Sequence, residues 1–222
     1  MDKTAQKYNM LSRTPSDINE HLPTLRRYAA ECDSVFETGV RGVVSSWALL
    51  DGLISRHNGV IKRFLMNDIT ACDIDEISNT ITAINMEGKV AVDLKYIWEN
   101  NLTAQINEKD RFDLTFIDTL HCYGQMRREL EKFSKFTEKY IIMHDTTIDE
   151  FRGEIYRSDL SYEKLVEWKK MTGFTDDTDI LYGLSQAIEE FLQNNKEWTL
   201  VEKFTNNNGL TVLKKDSTVF NI

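Results

Sequence analysis

Short β-rich apolar runs alternate with stretches of helical spacing along most of the chain. Val35 and Phe36 end a first run, and residues 60–69, 89–94, 112–117 and 139–147 supply four more. Brief apolar runs bounded by charged residues are the pattern of strands buried on both faces of a parallel sheet. Helical stripes lie between them. Leu22, Leu25, Tyr28 and Ala29 mark a leading helix over about 16–32, with Ser16 or Asp17 as its N-cap. From Val43 onward Trp47, Leu49, Leu50 and Leu53 face the sheet, and Ile74, Ile77, Ile81 and Ile84 do so within 73–86. Residues 95–108 read as helix or loop. Met126, Leu130 and Phe133 line one face of a helix over 125–136, whose other face, Arg127, Arg128, Glu129, Glu131 and Lys132, reads as solvated. A helix over 184–192 precedes two alternating strands, 197–204 and 209–215, around a turn at 206–209. The pattern predicts five strand–helix units closed by a hairpin, in one α/β domain spanning 1–222.

This order assigns a working face. In open α/β sheets the ligand crevice lies beyond the carboxyl ends of the strands. Asp68 and Asp93 end the second and third strands, Asp118 ends the fourth with His121 three residues on, and His144-Asp145 ends the fifth. Gly39 and Gly42 turn the chain between the first strand and its helix, with Glu37 just before them. Such glycines let the backbone approach a ligand beside free helix N–H groups. The spacing is not GxGxxG, so a dinucleotide fingerprint is poorly matched. Asp68 is placed to accept both ribose hydroxyl protons; the plainer alternative is that Asn67 and Asp68 cap a turn. Asp145 with Thr146 carries the same alternative, and Trp98 reads as packing rather than a stacking platform. His21, near the start of the leading helix, reads as solvated or capping. Residues 148–182 hold Phe151, Tyr156, Tyr162, Trp168, Phe174 and Tyr182 without a sheet pattern, and read as an insertion covering the pocket.

Charge and composition narrow the partners. A net charge of −9 leaves no broad cationic field for a nucleic-acid backbone. Cys32, Cys72 and Cys122 are odd in number and widely spaced, which indicates neither a disulfide framework nor a CxxC metal site. The first residues lack the apolar core of a secretory signal, and no segment reaches the ~18 apolar residues of a membrane span. A cytoplasmic protein with no membrane partner is expected, and association into a homo-oligomer is open.

Glu37-Thr38-Gly39-Val40-Arg41-Gly42, leading to Ser45, resembles the first motif of class I S-adenosylmethionine-dependent methyltransferases. The resemblance implies their Rossmann-like fold: a mostly parallel seven-stranded sheet with an antiparallel terminal hairpin and helices on both faces. It places Glu37, Gly39 and Ser45 around the methionine portion of the cofactor, with Arg41, Gly42 and Asp118 completing the lining and Asp93 near the adenine. Phe116-Ile117-Asp118-x-x-His121-x-Tyr123, the pair His144-Asp145 and the turn Asn206-Asn207-Asn208-Gly209-Leu210-Thr211 are together similar to the cephalosporin-hydroxylase-like, small-molecule methyltransferase group. That group includes metal-dependent sugar O-methyltransferases. By that likeness Asp118 and Asp145 hold a divalent metal, Mg²⁺ or Mn²⁺ before Fe²⁺, and His121 is the base. His144 stands where the group has an acidic residue, which leaves its part in the metal shell open. The activity implied is methyl transfer to a hydroxyl of a small molecule or glycan, foremost a sugar.

Two other readings fit the same residues. His121, His144 and one Asp form a two-histidine, one-carboxylate set of the kind that holds iron in oxygenases. A non-catalytic partner that keeps the fold is the second.

Overall fold

The computed structural model describes residues 3–106 and 110–216. Seven strands form one sheet in the order β3-β2-β1-β4-β5-β7-β6. β1 (Ser34–Thr38), β2 (Lys62–Asp68), β3 (Val92–Trp98), β4 (Phe112–Ile117) and β5 (Thr137–His144) pair in parallel. β7 (Leu210–Lys215) runs antiparallel to both β5 and β6 (Trp198–Phe204). The expected mixed sheet with its antiparallel hairpin is therefore present.

The apolar runs are strands because both faces are covered. Val35, Leu114, Phe116 and Ile142 point into a core shared with Leu25, Leu49, Leu53, Ile77 and Ile81. Their chain neighbours Phe36, Ile117, Ile141 and Met143 point the other way, onto Met126, Leu130, Phe133, Leu184 and Phe191. The first layer is built by α2 (Leu22–Ala29), α3 (Val44–Ile54) and α4 (Asp75–Glu87), the second by α5 (Tyr123–Phe133) and α8 (Leu184–Asn194). Among the described residues no helix is long and apolar enough to cross a membrane.

Several local expectations are corrected. A helix not foreseen, α1 (Lys3–Leu11), packs on α3, where Thr4 donates to Asp51 at 3.1 Å. The leading helix is shorter than expected: a 3-10 turn covers Asn19–His21, and α2 starts at Leu22 without a side-chain cap from Ser16 or Asp17. β3 runs to Trp98, through residues expected as helix or loop, because Val92 to Trp98 pair with Lys62 to Asp68. Residues 107 and 108 of that expected segment lie outside the described residues. The shift moves Asp93 from the carboxyl end of β3 to near its amino end, beside Arg63 in register. Asp93 is thus at the edge of the sheet opposite the candidate site and does not border a ligand there. β3 is an edge strand, so its pattern is half-polar and its register is set by pairing rather than by its own apolar positions.

The insertion is a 3-10 turn at Glu154–Arg157 followed by α6 (Tyr162–Thr172) and α7 (Asp177–Leu181). It has its own small core of Cys122, Ile155, Phe174 and Ile180, against which Trp168 packs. Arg128 clamps α7 to α5, pairing with Asp179 at 2.8 Å over the Phe174 ring.

Candidate functional site

The carboxyl ends of β1, β2, β4 and β5 meet in register: Thr38 lies beside Asn67 and Ile117, and Ile117 beside Met143. Glu37 projects from β1 and is fully buried. Ser45, in the first turn of α3, donates to its Oε1 at 2.5 Å, while Oε2 has no partner. Burial pushes the Glu37 carboxyl up to about 7, and the Ser45 and Ser46 hydroxyls only partly oppose this. A buried carboxylate with one free oxygen fits the ammonium of an amino-acid-like ligand.

The turn that follows uses its glycines unequally. Gly39 is left-handed at φ +90°, and a Cβ there would meet the Asp118 carbonyl oxygen at 1.9 Å. Gly39 is fixed by the close approach of the β1 and β4 ends. A Cβ on Gly42 would make only an ordinary contact with Val44 at 3.9 Å, and its backbone is not left-handed; Arg41 and Val43 make the left-handed steps instead. The Arg41 N–H donates to Asp68 Oδ2 at 2.9 Å, and its guanidinium reaches out to Asp17. Asp68 Oδ1 accepts from the Thr70 amide at 2.8 Å and hydroxyl at 2.7 Å. Asp68 therefore does cap its turn, and it stands at the rim as well. Burial raises its carboxyl, but the Arg41 and Thr70 donors outweigh this and lower it. Beside it Trp98 is 67% exposed, its indole N–H on the Ile69 carbonyl at 3.1 Å, so it is no part of the core.

The chemical centre is His121, surrounded by carboxylates. Its Nε2 lies 3.2 Å from Asp118 Oδ1. Its Nδ1 lies 3.0 Å from Asp145, 3.4 Å from Asp149 and 2.9 Å from Glu154. Burial opposes an imidazolium, yet the hydrogen bonds to these acids raise His121 well above its ordinary value. His144 Nδ1 faces Asp118 at 3.3 Å and Asp145 at 3.4 Å, with Nε2 on the Asn207 carbonyl at 3.2 Å. Burial lowers His144, and Asp118 and Asp145 more than offset it. Burial alone would raise Asp118; its two imidazole partners hold it well below the usual carboxylate range. Asp145 takes a left-handed backbone at φ 57°.

Asp118, His121 and Asp145 present donor atoms within 4.8 Å of one another, as do His121, Asp149 and Glu154; His144 belongs to neither set. Asp145 Oδ1 is buried without a hydrogen-bond donor. Two carboxylates and an imidazole suit a divalent cation, with the imidazole favouring Mn²⁺, Fe²⁺ or Zn²⁺ over Mg²⁺. A cation from the chain itself already faces them. Arg157 donates to Asp145 Oδ2 at 3.0 Å and to both oxygens of Asp149.

Asp149, Glu154 and Arg157 escaped the sequence reading because they lie in the insertion, outside any strand end. The signal available was Asp149, one helical turn past Asp145. His21 escaped too: it is buried, its Nε2 2.9 Å from the Asn206 carbonyl and its ring 5.7 Å from that of His144.

No family model matches the sequence, and no curated protein matches it. Solved structures do match over almost the whole chain. One is a Staphylococcus aureus protein provisionally assigned as a caffeoyl-CoA O-methyltransferase, at 11% identity and TM-score 0.56, covering 96% of this chain and 91% of that one. A Klebsiella pneumoniae protein, provisionally assigned as an O-methyltransferase, matches at 14% identity and TM-score 0.52, covering 97% and 89%. The O-methyltransferase TomG of tomaymycin synthesis from Streptomyces achromogenes, solved with S-adenosylmethionine, matches at 12% and 0.51, covering 97% and 90%. The fold is thus the Rossmann-like fold of class I methyltransferases. At such low identity the likeness establishes the fold alone.

Proposed function

We propose that this chain is an S-adenosylmethionine-dependent O-methyltransferase that uses a divalent cation and acts on a hydroxyl of a small molecule or glycan, foremost a sugar. The observation that carries the reading is the free, buried oxygen of Glu37 on the same rim as the His121 carboxylate cluster. Glu37 and Ser45 would hold the amino-acid end of the cofactor, and Asp68 its ribose. S-adenosylmethionine supplies an activated methyl group on a sulfonium. Asp118 and Asp145, with His144 beside them, would hold the cation, which would supply Lewis acidity to an acceptor oxygen.

An alcohol is a weak nucleophile at neutral pH, so its proton must go to a base; His121 takes it at a ring nitrogen. For that role the imidazole must be neutral. Carboxylates engaged by a cation would no longer favour the imidazolium, and Arg157 Nη2, 3.3 Å from His121 Nδ1, opposes it as well. The insertion supplies the acceptor side. Within the insertion Phe151 and Tyr182 are exposed, and Arg152 pairs with Tyr182 in a backbone bridge, whereas Phe174 and Trp168 are spent on packing. Flat exposed aromatics suit a sugar face, which supports the sugar reading.

The test is calorimetric titration with S-adenosylhomocysteine, followed by transfer of labelled methyl to a panel of glycosides and catechols. Binding with turnover that EDTA suppresses and Mn²⁺ or Mg²⁺ restores is expected. Full turnover in chelator removes the cation, and absent binding favours a non-catalytic partner. Arg157 gives a separate prediction. Arg157→Gln removes a cation competing for Asp145 and Asp149, so Mn²⁺ should bind about tenfold or more tightly to the variant, corresponding to the ~1.4 kcal/mol of one charge-assisted hydrogen bond. Unchanged Mn²⁺ affinity would show that Arg157 and the metal do not share these oxygens.

A further inference from the structure

A second fully buried carboxylate lies under the rim, and none of the roles above uses it. Glu129 sits on α5, on the face expected to be solvated, yet it is 0% exposed. Its Oε1 accepts three hydrogen bonds: from Asn101 Nδ2 at 2.5 Å, from the Thr119 hydroxyl at 2.6 Å and from Gln125 Nε2 at 2.8 Å. Its Oε2 has none. The network continues upward. Asn101 also donates to the Thr38 hydroxyl at 2.9 Å, and Thr38 donates to Asn67 Oδ1 at 2.9 Å. Asn67 in turn donates to the carbonyls of Ile97 at 3.0 Å and Glu99 at 2.9 Å. One side chain of α5 is thereby tied to the carboxyl ends of β1, β2, β3 and β4. One turn further along α5, Lys132 donates to the carbonyls of Asn101, Leu102 and Ala104, which pins the segment that carries Asn101.

The position of this network matters more than its size. Thr38 precedes Gly39 and Thr119 follows Asp118, and the backbones of Gly39 and Asp118 approach so closely that a Cβ on Gly39 would meet the Asp118 carbonyl. Glu129 grips both sides of that contact, Thr119 directly and Thr38 through Asn101. A buried charge in a helix face costs stability relative to an apolar residue of like size, so packing alone would not place a carboxylate there. Three donors converging on one oxygen instead define a single arrangement of the loops.

We infer that Glu129 is a positioning residue, which holds the Thr38–Gly39 turn and the Asp118–Thr119 segment in the one relative placement that serves both the cofactor and the chemistry. The inference rests on the methyltransferase reading. Glu129 touches no reacting atom and acts through Thr119 and Asn101.

The experiment measures S-adenosylhomocysteine affinity and thermal midpoint together in the full chain. Glu129→Gln keeps an acceptor oxygen for the three donors and should bind within about threefold of wild type. Glu129→Leu removes it and should weaken binding about tenfold or more, the equivalent of ~1.4 kcal/mol. Thr137→Val is the stability control: Thr137 pairs with the buried Thr115 hydroxyl at 2.6 Å, at the far end of the sheet, and its loss should shift the midpoint without moving affinity. Should Glu129→Leu fail to fold, Thr119→Val cuts the direct link alone and should weaken binding about threefold. Affinity unchanged in both Glu129→Leu and Thr119→Val overturns the inference. So does an affinity loss no greater than that of Thr137→Val at equal midpoint, or a Gln variant as impaired as the Leu variant. A wild-type chain that binds no S-adenosylhomocysteine overturns the methyltransferase reading itself, and this inference with it.

Discussion

Glu37→Gln should bind S-adenosylhomocysteine at pH 8 about a hundredfold more weakly than the wild-type chain, while its ligand-free fold becomes more stable. Both effects have one cause. The carboxyl is fully buried and ionises near pH 7 instead of near 4.5, because burial penalises its charge. The folded state therefore holds the proton more tightly than the unfolded chain, and stability declines as the pH rises from about 4.5 to about 7. Above that window the deficit is complete, on the order of 3 kcal/mol for a displacement of this size. A neutral amide has no such deficit. In the complex the ligand ammonium meets the free oxygen and favours the charge, and losing a charge-assisted contact of that kind costs about 2–3 kcal/mol. The same linkage requires wild-type affinity to fall as the pH drops below about 7, approaching tenfold per unit. Calorimetry from pH 5.5 to 8.5 reads it directly. A pH-independent affinity, together with an unimpaired Gln variant, would remove Glu37 from the cofactor site.

His121→Ala should all but stop methyl transfer and, in EDTA, lower the thermal midpoint more than loss of any other rim side chain. Among the described residues His121 is the one group that meets Asp118, Asp145, Asp149 and Glu154 together. Removing one partner from a buried ionic cluster leaves charge uncompensated and costs about 3–5 kcal/mol. Because these acids raise the imidazole, its contribution is complete below its unfolded value near 6.5 and is lost as the pH rises through the higher folded value. The difference between variant and wild type should accordingly be larger at pH 6 than at pH 9. Mn²⁺ should recover much of the lost midpoint, since a divalent cation replaces the missing positive charge. Turnover should fall by about 10²–10⁴, the contribution of general-base catalysis, with S-adenosylhomocysteine affinity near wild type. Equal losses of turnover and affinity would sink the base assignment. An unmoved midpoint in EDTA would sink the account of the cluster.

Much of the fold can be read from the apolar runs because a parallel sheet buried on both faces leaves little freedom in what its strands contain. The strands from Val35-Phe36 to 139–147 and the hairpin were placed this way, and with them the rim carrying Glu37, Asp68, Asp118, His121, His144 and Asp145. The edge strand was misplaced for the complementary reason. β3 is half-exposed, so neighbour pairing rather than burial sets its limits, and Asp93 lies near its amino end rather than at the carboxyl end that the apolar run predicts. Glu129 and Lys132 looked like a solvated face because their charge was visible and their partners were not. Asn101 lies 28 residues from Glu129, and the three carbonyls bound by Lys132 belong to the same distant segment.

What the sequence determined by itself is the layered sheet and the line of chemistry at its carboxyl edge. Strand burial and strand ends are local properties, written in periods of a few residues. What only the tertiary structure decided is the electrostatic state of that chemistry. The insertion brings Asp149, Glu154 and Arg157 to His121, the hairpin turn brings Asn207 to His144, and α5 brings Glu129 beneath Thr38 and Thr119. Charge on a buried group is set by every neighbour in space, and these neighbours come from segments that no local pattern connects.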